Sequence, residues 1–549
     1  MQRVTPSMSP QPSGGTPVQL NLVSLLLASL VGAYVASAPL HAYVYEDLPW
    51  ALDPPPVLMP NATWAQTEAF WLLFAKDRFT SETFLDGTSY SHDPTTNTDI
   101  YRMVLNLLEP IPLEKCHSNF LTKLNNGAIL SNGLQETLCN FAASPNASLA
   151  ASVGACQDNK LGGIQQSVVC VWLAPGDDLT LHANSSSTSG LYTYYNIFLM
   201  RPSIPFLYAK LTWRVALVMQ IGYRLYFDYF RHCRELLRDC ALVEGPRCEV
   251  FFGDPTSLIL LDPWITLVMS LDVWLSAAVI GSSTLAAAQM DDTWQFLLGC
   301  LYLARMEWIA YFSLAIASRI LKRLHLEGRF TPVDPTLVSI TATLIAGPLT
   351  YQQGQSVFFT RLYLWLFNTK APDPHTIEIG YGIFFFLCSV ALTPIVLGLA
   401  SCPSMQSTVV PTETYMVLRY ALPSFNDVKH RFLWALQLRC RAKYRRLHHF
   451  GGTIYSFYDA YPNFRKFPSL SQRGLDCYIV VYAAHDDLPC DCIRVSLYSC
   501  VDKTQTSLVI AKADEEAPFG HLTIEANTTT RAISFVVIEP PHGQCHWIE

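Results

Sequence analysis

The sequence predicts a membrane α-helical protein of about six transmembrane helices, with a mixed α/β exoplasmic domain and a small, mainly-β C-terminal domain. Three observations predict it. Half of the 549 residues are hydrophobic and only 15% are charged, where a soluble chain is about 25% charged. The apolar residues gather into runs near the ~20 residues a helix needs to cross a bilayer. Basic residues alternate between dense and sparse from one connector to the next, as when Lys and Arg collect on the cytoplasmic side. A net charge of −7 supplies no global basic field, so no nucleic-acid partner is expected. There is no internal repeat of ~20–50 residues and no heptad run.

An N-terminal tail, residues 1–19, carries the single basic residue Arg3. The first apolar run, 20–38, reads as a span or signal anchor, LNLVSLLLASLVGAYVASA. It ends in Ala36-Ser37-Ala38, a small-residue pattern that also suits a cleaved signal peptide, but the long and barely basic tail favours a retained span. Residues 39–203 follow as the exoplasmic domain. They hold the glycosylation sequons at Asn61, Asn146 and Asn184, in a compartment that also permits disulfides. Their four cysteines, Cys116, Cys139, Cys156 and Cys170, are disulfide candidates, with buried thiols as the other reading. Cys116–Cys139 with Cys156–Cys170 is the favoured pairing because short loops close most cheaply. AFWLLFA (Ala69–Ala75) suits a short helix and SVVCVWLA (Ser167–Ala174) a buried strand.

Five further spans are expected at 204–230, 257–281, 295–317, 336–351 and 376–400. Two of them are weak. The first carries Lys210, Arg214, Arg224 and Asp228, and 336–351 is short. Charge alternation admits both. Arg231, Arg234, Arg238 and Arg247 follow the second span, no basic residue follows the third, and Arg319, Lys322, Arg323 and Arg329 follow the fourth. Only Arg361 and Lys370 lie between the fifth and sixth, and Arg439, Arg441, Lys443, Arg445 and Arg446 come after the sixth. Six spans with both termini cytoplasmic keep dense connectors on one side. The expected location is an integral membrane position in the secretory pathway or plasma membrane. The aromatic stretch Gly354–Lys370 is expected to lie at the interface, or to be re-entrant.

The tail divides into a basic juxtamembrane segment, 401–470, and a β domain, 471–549. Asp427–Phe450 mixes Lys and Arg with Phe and Leu as a helix lying on an anionic leaflet would. Strand-like runs recur at Cys477–Ala483, Ile493–Cys500, Thr506–Ala513, His521–Ala526 and Ala532–Glu539. Cys477, Cys490, Cys492, Cys500, His542, Cys545 and His546 have no zinc-site spacing, so no metal is expected. The sequon at Asn527 would be silent in a cytoplasmic tail.

Arg305 and Glu307 interrupt the apolar run 295–317. An unpaired charge at mid-bilayer costs about 2.5–3.5 kcal/mol on insertion scales, so each is expected to have a partner. At 1.5 Å per residue, Arg305, Asp272 and Arg214 lie roughly 13–15 Å below one edge. Glu307 lies roughly 18 Å below it. The pairs expected are Asp272–Arg305 and Arg214–Glu307, with the fourth span between the second and third. Such pairs either fix which helices pack together or line a path for protons or ions.

FFGDPTSLILLDPWITLVMSLDVWL, FLLGCLYLARMEWIAYF and FTPVDPTLVSI, between Phe251 and Ile340, resemble a family of large multi-span membrane proteins common in oomycete genomes. The resemblance implies a membrane protein and assigns no activity, so no functional residue is carried over. The sequence favours a binding, scaffolding or receptor-like protein in the lipid bilayer, with an exoplasmic ligand and a cytoplasmic protein partner. The alternative is a transporter or channel subunit using the intramembrane charges, although no inverted repeat is visible. HExxH, GxSxG, Walker A and kinase motifs are missing. No catalytic residue and no cofactor are assigned.

Overall fold

A computed structural model of the protein describes residues 19–51, 66, 88–143 without 94–97, 108 and 125, 153–175, 191–234 without 232, 248–287, 293–324 and 335–396 without 393–394. In the C-terminal region it describes the strand residues alone. The sequons at Asn61, Asn146, Asn184 and Asn527, the run Ala69–Ala75 and the segment 401–470 lie outside the described residues.

The fold is mixed α/β, with two sheets and a group of apolar helices. The first half of the chain supplies β1 (Gln19–Leu20), α1 (Leu22–Ser37), β2 (Thr88–Asp93), β3 (Thr98–Asn106), α2 (Asn132–Ala143), β4 (Val153–Leu161), β5 (Ile164–Pro175), β6 (Leu191–Met200) and α3 (Ile204–Leu225). Next come β7 (Cys248–Phe251), α4 (Pro263–Leu275), α5 (Ala277–Ala287), α6 (Thr293–Leu303), α7 (Glu307–Leu324), α8 (Pro335–Gln355), α9 (Val357–Asn368), β8 (Thr376–Glu378) and α10 (Ile379–Ala391). β9 (Cys477–Tyr482), β10 (Pro489–Ser496), β11 (Val509–Ala511), β12 (Leu522–Ala526) and β13 (Ile533–Phe535) complete the described elements.

One sheet has the order β2-β3-β6-β5-β4-β8. Side chains alternate between strand faces, and β5 and β6 divide accordingly. Val169, Val171, Leu173, Tyr192, Tyr194 and Phe198 face one core, which they share with α4, α5, α6, α9 and α10. Val168, Cys170, Trp172, Tyr195, Ile197 and Leu199 face another. Burial on both faces explains why SVVCVWLA and LYTYYNIFLM are almost continuously apolar. Gly162 and Gly163, both at positive φ, close the β4–β5 hairpin as a two-residue primed turn requires. Glu378 accepts hydrogen bonds from both glycine N–H groups at 2.8 and 3.2 Å, which fastens β8 and the start of α10 to that turn.

Both favoured disulfides form. Cys116–Cys139 ties a short helix to α2, and Cys156–Cys170 bridges directly opposed residues of β4 and β5.

The second sheet has the order β1-β7-β9-β10-β11-β12-β13, so the strand-rich tail does not stand alone. β7 pairs antiparallel with β9 and parallel with β1. Asn21 fastens this sheet to α1. Its Oδ1 caps the helix at Ser24 N–H, its backbone N–H donates to Val250 O, and its Nδ2 donates to Glu249 Oε1 at 2.9 Å. α1 then buries Ala28 and Val35, and its extension Ala38, against Leu217, Ile221 and Leu225 of α3, packing as a member of the helix group.

Among the described residues, two helices, Leu22–Val44 and Thr293–Leu321, are long and apolar enough to cross a membrane, and a third exists if α4 and α5 count as one span. By length and composition the described helices therefore supply two or three of the six spans expected. The run 257–281 breaks at Asp262, whose side chain caps Trp264 and Ile265 N–H ahead of Pro263, and again at Ser276, where α4 and α5 meet at 70°. The run 376–400 begins as β8, so its helix starts only at Ile379. α3 continues into a π turn at Tyr226–Phe230 and is amphipathic, burying Lys210 and Arg214. α8 carries Pro348 within it. Within the segment Gly354–Lys370, α9 (Val357–Asn368) buries Thr360, Tyr363, Leu364 and Phe367 and leaves Phe358 and Trp365 exposed. Its Asn368 donates to Leu130 O and accepts from Asn132 N–H. Exposed Leu26, Leu30, Met219, Leu297, Leu344 and Phe384 give the helices an apolar outer surface, with Trp264 and Trp294 near helix ends, as lipid contact favours.

α5 and α6 approach at Gly299, where an added Cβ would lie 2.7 Å from Ala287 N and 2.9 Å from Ser283 O. Both obstacles are backbone and cannot swing aside. Gly299→Ala is expected to cost about 1–3 kcal/mol, whereas Gly222→Ala, facing open space, is expected to be neutral or stabilising by up to ~1 kcal/mol. Thermal unfolding of the two variants in detergent checks the contrast.

Candidate functional site

Three helix segments and one turn converge on a buried charge cluster. On α3, Lys210 and Arg214 are four residues apart and continue the buried face of Leu217, Ile221 and Leu225, as helical spacing dictates. Asp272 and Ser276 repeat that spacing at the end of α4. Tyr302 and Arg305 lie three apart, where α6 tightens into the 3-10 turn Ala304–Met306. The fourth contributor is Glu46, presented where the 3-10 extension of α1, Ala38–Val44, ends. Its backbone N–H donates to Ala42 O at 2.9 Å.

Glu46 sits at the centre. Its Oε2 accepts from Lys210 Nζ at 2.9 Å and Arg214 Nη1 at 2.7 Å. Its Oε1 accepts from Arg214 Nη2 at 2.9 Å, Tyr302 OH at 2.5 Å and Arg305 Nη1 at 3.2 Å. Asp272 accepts from Arg214 Nε at 3.0 Å and from Arg305 Nη2 at 2.5 Å. Ser276 Oγ accepts from Lys210 Nζ at 2.9 Å and donates to Asp272 O. No charged side chain in the group is more than 9% exposed. Tyr43 and Tyr302 place ring faces 4.8 and 5.1 Å from the Arg214 and Arg305 guanidinium carbons, adding cation–π attraction.

Arg305 and Asp272 are in contact, and Arg214 and Glu307 are not. Arg214 is occupied by Glu46 and Asp272. Glu307, two residues from Arg305 and so about 200° around the helix, accepts from Ser339 Oγ of α8 instead. The direct Arg214–Asp272 contact also means that α3 meets α4 without the fourth span between them. Glu46 was missed because the first span was ended at Ala38. The apolar helix runs on to Val44, and extending it would have put a carboxylate at its border. Lys210 was seen inside a span but given no partner.

A second polar group adjoins the first. Asp99 of β3, fully buried, accepts from Tyr90 OH at 2.5 Å, from His92 Nδ1 at 2.7 Å and from Ser282 Oγ of α5. Tyr45 OH lies 3.3 Å from Ser282 Oγ, and the Tyr45 ring lies 5.1 Å from that of Tyr302. The two networks therefore meet at a pair of tyrosines. The His92 side chain, 27% exposed, is the group's opening to solvent. Burial opposes the charged imidazolium, but the Asp99 hydrogen bond and charge, with Asp47 and Asp93 nearby, raise its pKa above the ordinary value. Burial also raises the Asp47 carboxyl, offset by His92 and reinforced by Asp99 and Glu46.

Removing one member of a buried ion cluster strands the others, at a typical cost of about 3–5 kcal/mol. Glu46→Gln is thus expected to lower the unfolding temperature in detergent far more than Glu307→Gln, whose partner is a neutral hydroxyl. Because the His92 pKa is raised on folding, its contribution to stability is full below pH ~6.5 and lost as pH rises through the raised value. Unfolding followed across pH 5 to 9 is expected to show that loss in the wild type and not in His92→Gln. Compared with family models, curated proteins and solved structures, the chain has no match, and its chemistry follows from its own residues.

Proposed function

We propose that the chain is a multi-pass membrane protein that moves an ion through the charge cluster, as a transporter or a channel subunit. The observation that carries this reading is the meeting of five charged side chains from four segments beside two interrupted helices. A single ion pair is enough to select helix neighbours. Here Glu46, Lys210, Arg214, Asp272 and Arg305 form one continuous hydrogen-bonded network. It abuts the 70° break at Ser276 and the 3-10 turn at Arg305. Interrupted helices beside buried charges are the means by which many transporters build an ion site within the bilayer.

Six spans with both termini cytoplasmic remain the topology of this proposal, and sheet membership supports it. β1, β7 and β9–β13 share one sheet, and the six-span scheme puts their three parent segments on one side of the membrane. β8 joins the disulfide-bonded sheet, on the side where that scheme puts residues 39–203. A binding role for that sheet is the second reading, favoured by its disulfides and its position outside the helices.

Two measurements test the proposal. Glycan attachment at Asn61, Asn146 and Asn184 but not Asn527 is expected, and a glycan on Asn527 would overturn the topology. Purified protein in liposomes is expected to pass a small ion under an imposed gradient, with flux lost in Asp272→Asn. Absence of flux for protons, alkali cations and chloride alike would favour the binding role.

A further inference from the structure

We infer that the ion is a proton, that Lys210 carries it, and that the His92–Asp99 pair admits it. This rests on the ion-moving reading above and names its substrate.

The charge inventory points first to Lys210. Three cations, Lys210, Arg214 and Arg305, share two carboxylates, Glu46 and Asp272, in one buried group. One positive charge is in excess where charge is expensive to bury. Guanidinium groups keep their protons in proteins, whereas a buried lysine gives its proton up readily. Glu46 already accepts five donors, so it is poorly placed to take another proton. Release from Lys210, R–NH3+ → R–NH2 + H+, leaves two cations facing two carboxylates.

The partners of Lys210 suit both of its states. As ammonium, Nζ donates to Glu46 Oε2 and to Ser276 Oγ, both at 2.9 Å, while the serine hydroxyl donates to Asp272 O. As amine, Nζ still donates to Glu46 and offers a lone pair. The Ser276 hydroxyl then turns from the carbonyl to donate to it. No buried group loses its hydrogen bond in either state, which is what a reversible proton site needs.

The second network gives the route. His92 and Tyr90 of β2, Asp99 of β3, Ser282 of α5 and Tyr45 after the α1 extension form a chain of exchangeable hydrogens. Asp93 on the same strand and Asp47 beside Glu46 are the other charged groups acting on His92. A proton taken up by His92 passes to Asp99, then along the Ser282 and Tyr45 hydroxyls to the junction with Tyr302. Beyond that junction Tyr302 OH donates to Glu46 Oε1, and the other oxygen of the same carboxylate accepts from Lys210 Nζ.

The test is proton flux into liposomes holding the full chain and an internal pH dye, driven by a potassium diffusion potential. Lys210→Arg keeps the positive charge but cannot release a proton, so flux is expected to fall by about 10²-fold or more. Glu307→Gln, outside the network, is expected to match the wild type. His92→Gln is expected to slow uptake and to flatten its pH profile, and it tests the route should Lys210→Arg fail to assemble. Wild-type flux in Lys210→Arg, or an unchanged profile in His92→Gln, overturns the inference. If sodium, potassium or chloride crosses and protons do not, the proton inference fails and the ion-moving reading stands. If nothing crosses, both fall.

Discussion

A single carboxylate carries the electrostatics of the helix group. Glu46 is the counter-ion of Lys210, Arg214 and Arg305, and it comes from a turn outside the helices that bear them. Without it Lys210 would be buried with no carboxylate partner, and Arg214 and Arg305 would share Asp272 alone, so turning the polar face of α3 inward would cost far more. With it, that face becomes the adhesive side, joining the α1 extension, α3 and α6 through one residue, while Asp272 and Ser276 bring in α4. The apolar outer surface follows, because the large residues left to point outward on α3 include Tyr208, Trp213, Val215, Met219 and Tyr223.

The helices are also held from both ends. At one end, Asn21 and Glu249 join α1 to the sheet of β1 and β7. At the other, Glu378 caps the β4–β5 turn and starts α10. The core on one face of the disulfide-bonded sheet contains Val273, Ile280, Tyr302 and Phe386 as well as Tyr194 and Phe198, so sheet and helices are not separable bodies. This explains why the Asp99 group and the Glu46 group lie side by side: they occupy the same interface, reached from the sheet and from the helices.

Much of this was legible from residue order. Cysteine pairing followed from loop length, and the buried strand at Ser167–Ala174 followed from its short apolar run. Arg214, Asp272 and Arg305 stood out as charges within apolar stretches. What could not be read locally was which charges would meet. Depth along a helix says nothing about direction around it, and so Glu307 was assigned to Arg214 while it faces Ser339. Glu46 belonged by sequence to the region after the first span and entered the helix group only through the 3-10 extension. The break at Ser276 was hidden because hydropathy averages across a bend. Strands β1 and β8 are so short that their identity depends on partners far along the chain.

Those distant partners impose an order on biosynthesis. Gln19–Leu20 is made early, but its neighbour in the sheet is Cys248–Phe251, and the strand beyond that is Cys477–Tyr482. From the emergence of β7 until the tail leaves the ribosome, one edge of β7 has no strand to pair with, and an open edge is a template for wrong partners. The long sequence separation also makes this closure slow. Completion of the seven-stranded sheet therefore waits for C-terminal strands that follow every described helix in the chain.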